Sequence, residues 1–381
     1  MRVVVGGEVS GTSLTAVGLG IVIPVLEVVV GFAILIAIFQ DLFQVVILPR
    51  PAIRKFAIVR YLLRGFWIVW RWIGSNIDSI PTRETFLAIM GPLGVLMMFT
   101  FWALMLILGF SLIYDGLRVE FHPALDAFGT SLYFSATTLV PLSYGDYVPE
   151  GVFARLVTIA ESASGVFLAA LVITLLFSLY ESFKDREIQV VQLDAMAGAP
   201  PSGVQILETA AQRGMRGQLI KTFEDWREWA ADVLESHLAY PSLLWFRSSH
   251  DNEAWLNSFG AVMDAAVLVL STVDDETEGP ARLMYTVGNH LVEDLSWYFG
   301  FKNVGDPIVE KMEYDQARER LRAAGYQCHG APYGWEKFAK LRSQYASPLN
   351  QLARGLLIIP AQWIGDRSYL PHRNRPGRRL R

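Results

Sequence analysis

Between two long apolar stretches the chain reads Phe134-Ser135-Ala136-Thr137-Thr138-Leu139-Val140-Pro141-Leu142-Ser143-Tyr144-Gly145-Asp146-Tyr147-Val148-Pro149. A segment that dips into a bilayer and returns leaves its backbone unpaired only where protein or a water-filled path surrounds it. Ala124 to Thr138 suits a helix descending after His122-Pro123, with Phe128, Leu132 and Phe134 available for packing. Val140 to Asp146 then climbs back out, which puts Tyr144-Gly145-Asp146 at the external mouth. Asp115, Glu120, Asp126, Asp146 and Glu150 lie nearby and would attract cations, weakly because salt screens exposed charge. The chemistry these residues suit is ion handling.

Two more acids stand in apolar surroundings. Glu161 precedes Gly165 by one helical turn, and a charge there costs several kcal/mol unless it is paired or protonated. It is read as a carboxylate behind the loop, bonding Thr137 or a backbone group of the descending helix; a position high enough to reach outer water is the other reading. Glu27 has no Lys or Arg within its own stretch to pair with. Gly165 offers a bending point, while Ser162, Ala163, Ser164 and Gly165 equally suit close helix packing.

These residues require a membrane, and the composition provides for one. With 52% hydrophobic and 18% charged residues in 381, the chain is more apolar than a soluble protein of its size. Residues 86 to 114 carry no charged side chain. At 1.5 Å per residue such a helix reaches roughly 43 Å, enough to cross a ~30 Å hydrocarbon core with tilt. Residues 14 to 39, interrupted by Glu27, and 156 to 180, interrupted by Glu161, are the other two spans. The first is longer than a signal-peptide core, with Arg2 alone ahead of it, and is expected to be retained. Residues 49 to 85 hold seven basic residues against two acidic ones, whereas residues 115 to 151 hold Arg118 against five acids. The basic loop belongs inside, which places the N-terminus and the loop outside and everything after about Phe183 in the cytoplasm.

Phe56 to Trp72 interleaves arginines with tryptophans, as a helix at a membrane interface does, although a surface helix packed on the cytosolic part accounts for it too. Ala195 to Gly203 reads as a linker, and helical periodicity returns through Leu219, Phe223, Trp226 and Val233 and through Trp255, Phe259, Val262 and Leu270. His237, His250, His290 and Glu293 would make a carboxylate and histidine metal site if their segments converged. Helix caps and ordinary buried histidines explain the same residues. No nucleotide-binding glycine loop, metalloprotease signature or nucleophile elbow occurs after residue 204. The single Cys328 excludes an internal disulfide.

Aligned without gaps, Ser135, Thr138, Tyr144, Gly145, Asp146 and Pro149, with Arg155 and Gly165 downstream at fixed spacing, resemble the potassium-channel pore-loop family over about residues 86 to 181. The resemblance implies a pore helix, an ion filter of backbone carbonyls at Val140, Pro141, Leu142, Ser143, Tyr144 and Gly145, support from Thr137, Thr138, Asp146 and Glu161, and a gating hinge at Gly165. It also implies four chains around one pore, in closed symmetry. The family's Thr-Val-Gly-Tyr-Gly is replaced by Pro141-Leu142-Ser143-Tyr144-Gly145. Pro141 removes a backbone N–H and the threonine hydroxyl expected at the inner ion site, and Ser143 stands where a left-handed backbone costs a non-glycine residue about 1 kcal/mol or more. Three readings follow: a potassium channel with a variant filter, a weakly selective cation channel, and a non-conducting relative.

The expected fold is an all-α membrane protein of three transmembrane helices, a re-entrant pore helix and filter loop, and a helical cytosolic domain. Its parts are an extra N-terminal helix (1–48), an interfacial amphipathic segment (49–85), the pore domain (86–183), a linker (184–203), the helical cytosolic domain (204–365) and a basic tail (366–381). The helical cytosolic domain resembles the helical C-terminal regions of bacterial one-pore channels. The expected partners are monovalent cations, potassium above all, membrane lipids, three further copies of the chain and a cytosolic ligand of unstated chemistry. Neither a nucleic acid, a resident cofactor nor an enzymatic activity is expected; the runner-up is a membrane-anchored helical sensor or enzyme.

Overall fold

The computed structural model describes residues 12–48, 58–248, 254–359 and 361–363. His250 and the basic tail at 366–381 lie outside the described residues. The chain is mostly helical, in two compact units: Met1–Leu63 with Val95–Phe177, and Arg64–Gly94 with Ser178–Arg381.

In the first unit, α1 (Thr12–Leu42) runs along α4 (Met90–Gly116). Glycines let the two backbones approach: a Cβ on Gly31 would stand 2.6 Å from the Gly109 carbonyl oxygen, and one on Gly116 2.6 Å from that of Pro24. Asp41, buried near the end of α1, accepts from the Trp102 indole N–H at 2.7 Å and from the Ile58 amide at 2.5 Å, which caps α2 (Ile58–Ser75). After α4 comes a two-residue strand β1 (Phe121–His122), then α5 (Phe128–Leu139), an irregular segment, β2 (Val148–Pro149) and α6 (Val152–Ala197). The strands pair antiparallel, Phe121 with Pro149 and His122 with Val148, so α5 and the irregular segment form a closed excursion between α4 and α6. Glu120 ties its base: its carbonyl accepts from the Glu150 amide at 2.8 Å, and its carboxylate from the Ala154 amide at 3.1 Å, in the first turn of α6. Three segments, Val22–Ile47, Ile80–Gly116 and Val152–Ala197, are long and apolar enough to cross a membrane. Val25, Leu26, Val29 and Ile36 on α1, and Ile159, Val166 and Ile173 on α6, are exposed, as a lipid-facing or subunit-facing surface requires.

Two boundaries differ from those expected. α5 begins at Phe128 rather than Ala124, because Leu125 turns back to bond the Arg118 carbonyl and Asp126 accepts from the Thr130 hydroxyl ahead of the first turn. α6 runs on to Ala197, through residues expected to form a linker at 184–203. The polar stretch Lys184 to Gln192 contains good helix formers and no breaker, and the helix stops only at Gly198, whose φ is +76°.

The second unit holds α3 (Ile80–Ala88) and, after α6, α7 (Gly203–Gln212), α8 (Gln218–Ala239), α9 (Trp255–Ser271), α10 (Glu278–Phe299), α11 (Lys311–Ala323), α12 (Ala331–Arg342) and α13 (Ala346–Gly355). Every residue of α9 is buried, which makes it the axis on which α7, α8, α10, α12 and α13 pack. Trp226, Trp229 and Trp255 are core residues of this bundle.

Candidate functional site: a short helix and an open loop between two spans

α5 is an apolar helix with polar positions one turn apart, Ser131 and Ser135, both fully buried. Glu161 of α6, fully buried as well, receives the Ser135 hydroxyl on Oε1 at 2.5 Å and the Tyr114 hydroxyl of α4 on Oε2 at 2.6 Å. The Ser135 hydroxyl also lies 3.0 Å from the Ile107 carbonyl oxygen. Glu161 therefore meets α5 through Ser135 and not through Thr137. Two residues along a helix amount to roughly 200° of rotation, so Thr137 points elsewhere. Its hydroxyl donates to the Phe134 carbonyl at 3.0 Å. Phe121 and Phe134 pack edge-on against the Tyr114 ring and shield the carboxylate, with ring centroids 5.5 and 5.1 Å from it.

Asp115 also departs from expectation. It is buried, not free at an outer mouth, because its side chain turns toward α5 and meets the Ser131 hydroxyl at 3.1 Å and Arg118 Nη2 at 2.7 Å. Arg118 stands in turn 3.8 Å from Glu27, the neighbour that α1 could not supply from its own sequence.

At its C-terminal end α5 meets α6 closely. The Ser162 hydroxyl lies 3.4 Å from the Thr138 carbonyl oxygen, and a Cβ on Gly165 would overlap the carbonyl oxygen of Leu139. Glycine at 165 is thus required by the approach of two backbones, within an α6 that is continuous through this point.

Val140 to Asp146 are all exposed. The Leu142 amide bonds the Thr137 carbonyl at 2.8 Å and fixes where the loop leaves the helix. Beyond it, among the described residues, the backbone groups of Ser143, Tyr144 and Gly145 make no backbone hydrogen bond. Ser143 (φ +52°) and Gly145 (φ +78°) are left-handed, and Tyr144 between them is not. Asp146 lies against the Tyr133 hydroxyl of α5.

In the second unit His237 is buried, and its ring links two elements: Nδ1 donates to the Val233 carbonyl at 2.9 Å, leaving Nε2 to accept from Arg186 at 3.3 Å. Burial, with the Arg186 charge beside it, pushes this imidazole down to about 3. His290 is exposed and pairs with Asp294 at 3.1 Å, and Glu293 is exposed next to it. Among the described residues no three His, Cys, Asp or Glu side chains group as a metal site would need. Tyr114 and Ser131 were missed in the sequence, and Asp115 was read there only as an outer acid; serines four apart in an apolar helix were the available signal.

Three helical segments long and apolar enough to cross a membrane, with the short, partly buried α5 and an unpaired backbone segment between the second and third, describe a membrane protein. Residues 93–182 match the family model described as "Ion channel", and so carry the pore pattern of the potassium-channel pore-loop family. Over 85 residues the chain is 35% identical to Protein LctB of Bacillus caldotenax, a match covering 19% of this chain and 63% of that protein. The chain thus spans less than two thirds of that curated relative's length. No solved structure matches it.

Proposed function

We propose that the chain forms a homotetrameric cation channel, selective for potassium, whose re-entrant pore helix is α5 and whose filter is Val140, Pro141, Leu142, Ser143, Tyr144 and Gly145. The observation that carries this reading is the alternation of backbone hand at Ser143, Tyr144 and Gly145, whose backbone groups make no backbone hydrogen bond. In a uniform extended strand successive carbonyls point to opposite sides; alternating left- and right-handed residues turns them to one side, where they can replace an ion's water. Thr137, Thr138, Asp146 and Glu161 hold the loop. Gly165 seats α6 against α5 and serves as the gating hinge. The loop faces outward in a plasma membrane, the segment at 49–85 lies at the inner interface among lipid headgroups, and the helical domain at 204–365 gates the pore in response to a cytosolic ligand. The chain acts as a channel and not as an enzyme, with potassium as cargo and no resident cofactor. A weakly selective cation pore is the second reading, favoured by Pro141, which leaves the inner end without a hydroxyl.

The purified full chain in liposomes is expected to pass potassium well above sodium, and the Tyr144→Ala variant to lose that preference. Equal fluxes in the unaltered protein would establish the second reading. No flux of either cation at any pH or voltage would reject both and leave the pore segment as an anchor for the helical domain.

A further inference from the structure

α5 is gripped by carboxylates from both of its neighbours. Glu161 reaches it from α6 through Ser135, and Asp115 reaches it from α4 through Ser131, one turn earlier. Both serines are fully exposed to neither water nor lipid, with no surface accessible, and both acids are buried. Asp115 is not a spare surface charge: Arg118 donates to its side chain from Nη2 at 2.7 Å and to its backbone carbonyl from Nε at 2.9 Å, fixing the carboxylate in the orientation that meets Ser131. The packing of α1 on α4 brings Glu27 to 3.8 Å from the same guanidinium.

We propose that Asp115 is a positioning residue for the filter, setting the seat of α5 together with Glu161. The inference rests on the reading of 140–145 as a filter. Two grips one turn apart on one helix resist both its rotation and its tilt, which a single grip at Ser135 does not. Because the Leu142 amide is bonded to the Thr137 carbonyl near the end of α5, a displacement of the helix is passed directly to the first residues of the loop. Charge-assisted bonds of this kind are directional and stronger than neutral ones, so Asp115 fixes position as well as burying a charge.

The test uses the full chain with Asp115→Asn, Ser131→Ala, their combination, and Ser131→Thr, which keeps the hydroxyl. In liposomes each of the first two is expected to lower the ratio of potassium to sodium flux by about threefold or more, and the combination to do no more than either alone. Ser131→Thr is expected to retain the ratio. Amide hydrogen exchange over residues 128–147, measured on the same proteins in detergent, is expected to be faster in Asp115→Asn and Ser131→Ala, with exchange in the helical domain unchanged. An unchanged flux ratio in Asp115→Asn, or additive losses in the combination, overturns the proposal in a protein that conducts selectively. If the unaltered protein shows no selective flux, the filter reading fails on its own. The exchange measurement then still decides whether Asp115 seats α5, and unchanged exchange rejects it.

Discussion

Glu161 in the first unit and Asp264 in the second are both buried carboxylates on apolar helices, and they are held by different kinds of donor. Asp264 faces a cation: Arg342 approaches it at 2.8 and 3.3 Å, and the Tyr345 hydroxyl adds a bond at 2.6 Å. Arg342 also donates to the carbonyls of Pro307 and Trp363. Glu161 meets two hydroxyls, from Ser135 and Tyr114. Asp41, also in the first unit, follows Glu161 and not Asp264, with an indole N–H and backbone amides as its donors. In the second unit the buried Asp264 is locked into an ion pair. In the first unit Glu161 and Asp41 are satisfied by neutral donors, with no full positive charge beside them, whereas Asp115, at the end of α4, meets the Arg118 guanidinium.

Removing the cation's partner is the severest way to break this contrast. Asp264→Ala strands a fully buried guanidinium and is expected to lower the stability of the full chain in detergent by ~3–5 kcal/mol. Glu161→Gln keeps the shape and one acceptor and strands no charge, so it should cost less than about 1.5 kcal/mol. Comparing the two melting temperatures with that of the unaltered protein checks both values. Equal losses would mean that burial alone, and not the kind of partner, sets the cost.

A second difference between the units is sensitivity to acid, which His237 confers on the helical domain. In the folded chain it stays neutral down to about 3, whereas the unfolded chain takes up the proton near pH 6.5. Between those values the unfolded state binds one proton more, so this group's contribution to stability is full above pH 6.5 and declines as the pH falls toward 3. Protonation would also cost Arg186 its acceptor on Nε2 and set two cations 3.3 Å apart. Over this window the unfolding free energy of the unaltered protein should fall more steeply than that of His237→Gln, by up to about 1.4 kcal/mol per pH unit. Parallel curves would show that the ring is already protonated in the fold, or that it is not buried there.

How far such features could be read from sequence depends on how local they are. The three spans follow from long apolar runs, two of them broken only by a single glutamate, and the excursion between the second and third from one stretch of contiguous residues. Glu161 was legible as an acid that needs a partner behind the loop, because an unpaired charge in an apolar run is a physical demand. That Ser135 meets the demand depends on the rotation of α5 about its own axis, which no local pattern fixes without the neighbouring helices. Asp115 misled because it ends an apolar run beside other acids. Whether such a terminal acid turns outward or back toward a neighbour is a tertiary matter. The Asp264 and Arg342 pair, 78 residues apart, left no local trace at all.

The smallest expected effect falls on the loop itself, where two left-handed positions are filled differently. Gly145 has no heavy atom within 4 Å of the place a Cβ would take, so a side chain there meets backbone strain and no clash. Ser143 already bears that strain, at φ +52°. Replacing it with glycine removes about 1 kcal/mol of left-handed strain from the fold and returns about 0.4–1 kcal/mol to the freedom of the unfolded chain, so the melting temperature should hardly move. Gly145→Ala carries the strain without a relief and is expected to lose about 1 kcal/mol. The flux ratio is the sharper reading. If the backbone hand at 143 serves to aim a carbonyl, Ser143→Gly keeps that hand at lower strain and should hold or raise the preference for potassium over sodium. Loss of the preference in Ser143→Gly would show that the serine side chain, and not the handedness it tolerates, is what residue 143 contributes.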